Sequence, residues 1–123
     1  MIRGSYTDLD NSQGVFISAK GSSKGETYVA NAGNYEGGSP AVLVFAAGAS
    51  GNTPPIVIIA GNNTELDTPV GIDVDRDGNM YAADVDSNSV EVFAAGSNGN
   101  VAPIQRISGT YTGLEGPYDA VVY

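Results

Sequence analysis

The chain contains no cysteine, no histidine and no tryptophan, and only five basic residues: Arg3, Lys20, Lys24, Arg76 and Arg106. Without cysteine there are no disulfides, thiolate metal sites or cysteine nucleophiles, and redox chemistry assigns no compartment. Without histidine no Ser-His-Asp or Cys-His triad can form. Fourteen acidic residues leave a formal charge of −9, a field that repels phosphate backbones and anionic lipid, so nucleic acid and membrane surfaces are not expected partners. Long apolar runs are missing too. "AVLVFAAGA" is cut by glycine well short of the ~20 residues that cross a bilayer, so membrane insertion is not expected. The opening "MIRGSYTDLD" has neither an apolar core nor a small-residue cleavage site, and is not read as a signal peptide.

What the chain has is glycine, proline and a repeat. Its 123 residues fit one small domain, and 17 Gly and 6 Pro among 41% hydrophobic and 15% charged residues suggest short strands joined by tight turns. "VFAAGASGN" at 44 returns as "VFAAGSNGN" at 92, an offset of 48 that also carries Gly61 onto Gly109, Leu66 onto Leu114 and Pro69 onto Pro117. A third partial copy opens the chain. "IRGSYTDLDNSQGVFI" from Ile2 follows "ISGTYTGLEGPYDAVV" from Ile107, placing Gly4 on Gly109, Tyr6 on Tyr111 and Leu9 on Leu114.

Within each unit, apolar and β-branched runs separated by Gly, Asn, Asp and Pro predict four strands. They are 14–19, 26–31, 41–45 and 55–59 in unit one, about 14–59, and 70–75, 79–84, 90–93 and 103–107 in unit two, about 70–107. A partial repeat over 108–123 ends in one more first strand, "DAVVY". Asp77-Gly78 is expected to supply the positive φ angles of a tight hairpin, and Pro54, Pro55 and Pro103 stand where a missing ladder N–H costs little. The expected fold class is all-β: blades of four antiparallel strands, two per chain, with Val44, Phe45, Val92, Phe93, Ile72, Val74, Ile56 and Ile58 in the cores. The fourth strand "IVII" of unit one should be better covered than "IQRI" of unit two.

A four-strand repeat of this length is characteristic of a β-propeller blade. Residues Pro69, Gly71, Ile72, Asp75, Gly78, Asn79, Tyr81 and Asp84 reproduce the common form of the NHL-type blade, which unit two closely resembles; unit one keeps Gly25, Tyr28 and Asn31 but has a longer loop, "AGNYEGGSP". The resemblance implies a propeller fold and no single activity. NHL lyases rely on histidine and metal, and RNA-binding members use a basic face; this chain has neither histidine nor the charge for RNA.

"DVDRDGNMYAAD", residues 73–84, fits the Asp-x-Asp-x-Asp-Gly spacing of a calcium loop, with Asp73, Asp75, Asp77 and Asp84 as candidate oxygen ligands. It resembles the calcium hairpins of integrin-type propellers, except that Tyr81 stands at the ninth position. The same acids can simply face water or cap the hairpin, since side chains alternate along a strand. Asp84 and Asn31, both after a second strand, are read as turn residues rather than catalysts. Tyr6 and Tyr111, and likewise Tyr28 and Tyr81, share repeat positions, which favours structural duty between blades. Tyr35 has no counterpart in unit two, so a sugar or peptide would be held by Asn31, Asn34, Tyr35 and Glu36.

Two blades cannot close a ring of about four to eight. The expected partner is therefore the chain itself: a non-enzymatic propeller fragment that self-assembles by strand-edge pairing, with "PYDAVVY" adding to or replacing "GVFISA" of a neighbour, into a ring of three or four subunits or a filament. The alternative is an acidic, calcium-stabilised surface or adhesion module in an open head-to-tail array. An enzyme ranks behind both.

Overall fold

The computed structural model describes residues 1–19, 21–33 and 38–122. Two antiparallel sheets account for the strands. The first is ordered β1 (Ser12–Ile17), β2 (Thr27–Asn31), β3 (Ala41–Phe45) and β4 (Val57–Ala60); the second is ordered β5 (Pro69–Val74), β6 (Met80–Asp84), β7 (Ser89–Phe93) and β8 (Gln105–Ile107). Each is a plain up-and-down meander, as the short connections dictate. Two single-turn 3-10 segments, Asn62–Thr64 and Thr110–Thr112, are the only helix among the described residues. The third strand of unit one coincides with its sequence-predicted span, and the others differ by a few residues at their ends. β1 and β5 both carry a register shift at the same repeat position, between Ser12 and Gly14 and between Pro69 and Gly71.

The hairpin between β5 and β6 differs from expectation. Only Gly78 takes a positive φ, 91°, and Asp77 does not. Gly78 N–H donates to the Asp75 carbonyl (3.1 Å) and Asp75 N–H to that of Asn79 (2.9 Å), a type I turn closed by a glycine bulge rather than a two-residue turn. Gly25, at φ 88°, closes the longer loop between β1 and β2, its N–H donating to the Ser18 carbonyl (2.8 Å).

Cross-strand register assigns the faces, because residues opposite one another in an antiparallel ladder point to the same side. In the first sheet Tyr28 pairs with Val44, and Ala30 with Val42, which also pairs with Ile59. This face packs on the side of the second sheet that carries Ile72, Met80, Ala82 and Phe93, and together they form the main core. Phe16 meets Tyr28 edge-on, ring centroids 6.1 Å apart. Val44, Phe45, Val92, Phe93 and Ile72 are buried as expected, and Val74 is partly buried against the same core.

Ile56 and Ile58 correct the expected core, being 50% and 37% exposed. The cause is register: Ile58 pairs with Leu43, on the face of the first sheet that no second sheet covers. That face holds a smaller cluster of Val29, Ala41, Leu43 and Phe45, against which Ile2 and Leu9 of the opening segment pack. Coverage of the fourth strands runs as expected, since β4 is partly buried and β8 exposed throughout.

The first strands of successive units approach most closely. A Cβ on Gly14 would stand 2.5 Å from the Val70 carbonyl oxygen, and one on Gly71 would stand 2.6 Å from that of Tyr118. Residues 117–122 therefore lie over β5 as β5 lies by β1, and Val122 N–H donates to Asp73 Oδ2 at 2.5 Å. They form no strand, a correction to the sequence expectation for "DAVVY". Among the described residues no strand pairs with them, and a ladder needs two.

Candidate functional site

The acidic loop is built around one residue. Asp75, at the end of β5, accepts hydrogen bonds from the N–H groups of Asp77 and Asn79 (2.9 Å each), from Asn79 Nδ2 (2.9 Å) and from Tyr81 Oη (3.3 Å). Burial works to raise its carboxyl, but the Asn79, Asp77 and Tyr81 hydrogen bonds outweigh it and hold the group below its ordinary value. The other carboxylates of the calcium spacing point elsewhere. Asp73 accepts from Val74 and Val122 N–H. Asp84, fully buried at the opposite end of β6, accepts from Asp67 N–H (2.6 Å), Thr68 N–H (2.9 Å) and Ser87 N–H (3.4 Å). Among the described residues no three His, Cys, Asp or Glu side chains gather to hold a metal ion. Asp77 contributes its backbone N–H to the same turn.

Asn31 performs in the first sheet the work of Asp84 in the second. Its Oδ1 accepts from Asp10 N–H (2.8 Å) and its Nδ2 donates to the Asp8 carbonyl (3.4 Å), so it fastens the segment before β1 as Asp84 fastens the segment before β5. Asn34, Tyr35 and Glu36 lie outside the described residues. Beside Asn31 opens a cleft of about 780 Å³, lined among others by Arg3, Asp8, Asp10, Leu43 and Ile58.

In the second sheet the positions of Ala41, Leu43 and Ile58 are taken by Ser89, Glu91 and Arg106. Arg106 bridges the Glu91 carboxylate (Nε to Oε1, 3.0 Å) and Glu65 (Nη1 to Oε2, 3.2 Å), while Ser89 Oγ donates to Glu91 Oε1. Glu91 is wholly buried and its Oε2 has no hydrogen-bond partner among the described residues. Burial pushes its carboxyl above the ordinary carboxylate range, the Asp84 charge adds to this, and Ser89 and Arg106 oppose it. "VEVF" read as a strand gives no warning of this group; the signal was a lone acid in a strand whose neighbours on both sides are core, answered by the lone arginine of "IQRI".

Of the tyrosines, Tyr28 is core, and Tyr81 is partly buried over Asp75. Tyr6 and Tyr111 correct the expectation of structural duty between blades, because both rings are exposed. What matters at Tyr6 is its backbone.

That backbone belongs to a connector present three times: Gly4 to Thr7, Gly61 to Thr64 and Gly109 to Thr112. In each copy the threonine Oγ1 donates to the glycine carbonyl at 2.7 Å and accepts the N–H of Leu9, Leu66 or Leu114. The first two are clamped by the loop between the third and fourth strands of the following sheet. Asn52 Oδ1 accepts Tyr6 N–H (2.7 Å), Asn100 Oδ1 accepts Asn63 N–H (2.9 Å), and the chain runs parallel to the loop at Ile2–Gly51 and Ile59–Gly99. A Cβ on Gly4 would stand 2.5 Å from Asn52 Cγ, and one on Gly61 would collide with the Asn100 carboxamide. The third copy has no such clamp: a Cβ on Gly109 would meet nothing within 4 Å, and Thr112 is exposed where Thr7 and Thr64 are buried. Sequence alignment brings Gly4, Gly61 and Gly109 into register, yet nothing in it reveals the asparagine that closes over them. No protein-family model matches the chain, and no curated protein does.

Proposed function

We propose that this chain is a non-enzymatic, NHL-type β-propeller unit that associates head to tail with copies of itself to form a scaffold or ligand-binding ring. One observation carries the reading. The face that the first sheet packs onto the second is built from Tyr28, Ala30, Val42 and Val44, and the second sheet carries Tyr81, Ala83, Val90 and Val92 at the same repeat positions on its other face. There Ala83, Val90 and Val92 are already buried within the chain and Val122 bonds Asp73 beside Tyr81, so a second copy docks by displacing the chain's own last residues. The complementary face is also present. Ile72 on the second sheet is buried, at 5% exposure, by its contact with the first, whereas Val15 and Ile17 on the first sheet's free side are 65% and 63% exposed beside Val29 and Phe45. Two copies thus offer each other the contact that each already makes internally. Because the two faces differ, the contact is heterologous and closes into a ring where the rotation per copy allows. Full burial of an exposed Val or Ile contributes about 1.5–3 kcal/mol, before the cost of association. The candidate polar residues support the non-enzymatic reading, since Asn31, Asp75 and Asp84 are engaged with backbone and converge on no common point.

Light scattering across a concentration series tests it. A mass that rises to three or four times that of the chain is expected. A folded chain that stays monomeric to millimolar concentration overturns the proposal.

A further inference from the structure

We infer that copies join by exchanging the repeat connector: residues 107–116 of one copy take the place that residues 2–11 occupy within the next, and that copy's Asn52 closes over Gly109. The inference rests on the head-to-tail reading and specifies which segments it uses.

Simple stacking of copies is obstructed, because residues 2–17 and 107–122 are the same stretch of the repeat and compete for one position. The structure locates where the conflict can be resolved. Residues 12–17 are held by the β1–β2 ladder, and losing them would expose β2. Residues 2–11 are held by the Ile2–Gly51 bridge, the Asn52 clamp and the Asn31 contacts, all of which an equivalent segment can replace. Ile107, Thr112 and Leu114 stand where Ile2, Thr7 and Leu9 do. At the partner end, residues 117–122 form no ladder, and the next copy's Gly14 can lie over Gly71 as Gly14 lies over Val70 and Gly71 within one chain.

The incoming segment already has the shape required. Gly4 and Gly109 have φ 123° and 104°, Asp8 and Gly113 have 58° and 72°, and Asn11 and Gly116, at the crossover, have 56° and 54°. Glycine holds left-handed angles at less cost than Asp8 and Asn11 do, so the exchanged connector is the better preorganised of the two. Residues 2–11 act, on this account, as an internal plug on the docking site.

The same substitution at the two equivalent glycines separates the possibilities, with light scattering on the full-length chain as readout and circular dichroism to confirm the fold. Gly4→Ala drives a methyl into Asn52, loosens the plug and should move assembly to at least tenfold lower concentration. Gly109→Ala meets no neighbouring atom within one chain, although its φ of 104° strains an alanine there as φ 123° does at Gly4, but it meets the next copy's Asn52 on exchange and should move assembly at least tenfold higher. If the unsubstituted chain assembles and both variants shift the same way or by less than twofold, exchange is wrong and the head-to-tail reading survives. If all three remain folded monomers, both are wrong. Should Gly4→Ala fail to fold, Thr112→Lys decides: it is exposed in one chain but enters Thr7's buried place on exchange, so unchanged assembly overturns the inference.

Discussion

Replacing Glu91 by leucine should stabilise the protein, although it deletes an ion pair. Glu91 lies on the inward face of β7, wholly buried, with Oε2 unpartnered and Oε1 shared between Ser89 and Arg106. Two costs meet there: desolvation of a carboxylate, and an acceptor with no donor. Against them stands one guanidinium that is itself partly in water and divided with Glu65. A buried ion pair replaced by an apolar side chain of similar volume is commonly neutral or more stable by about 1–4 kcal/mol. The first sheet shows that leucine suits the position, since Leu43 occupies it there. Arg106 keeps Glu65, so no cation is stranded. A gain of about 1–3 kcal/mol at pH 7 is expected from urea unfolding. The pH dependence provides a second check. Glu91 has its folded pKa raised, so the native state holds a proton that the unfolded chain has released. Stability therefore falls as pH rises from the unfolded value, about 4.3, through the folded one, and the cost is fully present above it. The advantage of Glu91→Leu should grow across that window and then level off. A loss of more than about 1 kcal/mol at pH 7, or an advantage greatest in acid, would refute the claim that desolvation outweighs pairing here.

Phe93→Ala empties the middle of the core between the sheets and should cost about 3–5 kcal/mol by the same assay, whereas a loss below about 1 kcal/mol would show that Phe93 does not fill that core. Millimolar calcium should leave the melting temperature unchanged, because Asp73, Asp75 and Asp84 are turned to separate backbone partners; a rise of several degrees would mean that they can converge on an ion. Copies carrying −9 each repel one another, so raising ionic strength from about 0.01 to 0.15 M, which shortens the screening length from about 30 to 8 Å, should strengthen assembly; weakening with salt would show that charge attraction, not apolar packing, drives the contact.

The strands were legible because period-2 patterning and turn residues agreed at nearly every boundary. "AVLVF" between a Gly-Ser-Pro loop and "AAG" admits no reading but a buried strand, and β3 is buried at all five positions. Which strand face meets another sheet was not legible. "PIVII" is apolar on both sides, so composition alone puts Ile56, Ile58 and Ile59 in the core together. Pairing sends Ile59 toward the second sheet and Ile58 toward the uncovered side. The last strand failed for a related reason: "DAVVY" has the right pattern, but strand geometry is a property of the ladder, and none of the described strands pairs with residues 119–122.

The candidate site was legible only where one residue does its work alone. Asp75 was identifiable as a hairpin cap, since its acceptor function is satisfied within four residues by Asp77 and Asn79. Asn31 was expected as a turn residue, but it is the buried last residue of β2, and its side-chain partners Asp8 and Asp10 lie some twenty residues away. Asn52 and Asn100 were hidden altogether, because their effect depends on a glycine in the preceding unit, 48 and 39 positions earlier, having no side chain. A repeat aligned along the sequence compares each residue with its own copies, whereas the contacts that join blades run between different positions of neighbouring copies. That difference gives Gly109 its meaning: identical to Gly4 and Gly61 in every aligned column, it differs from them only in having no asparagine above it.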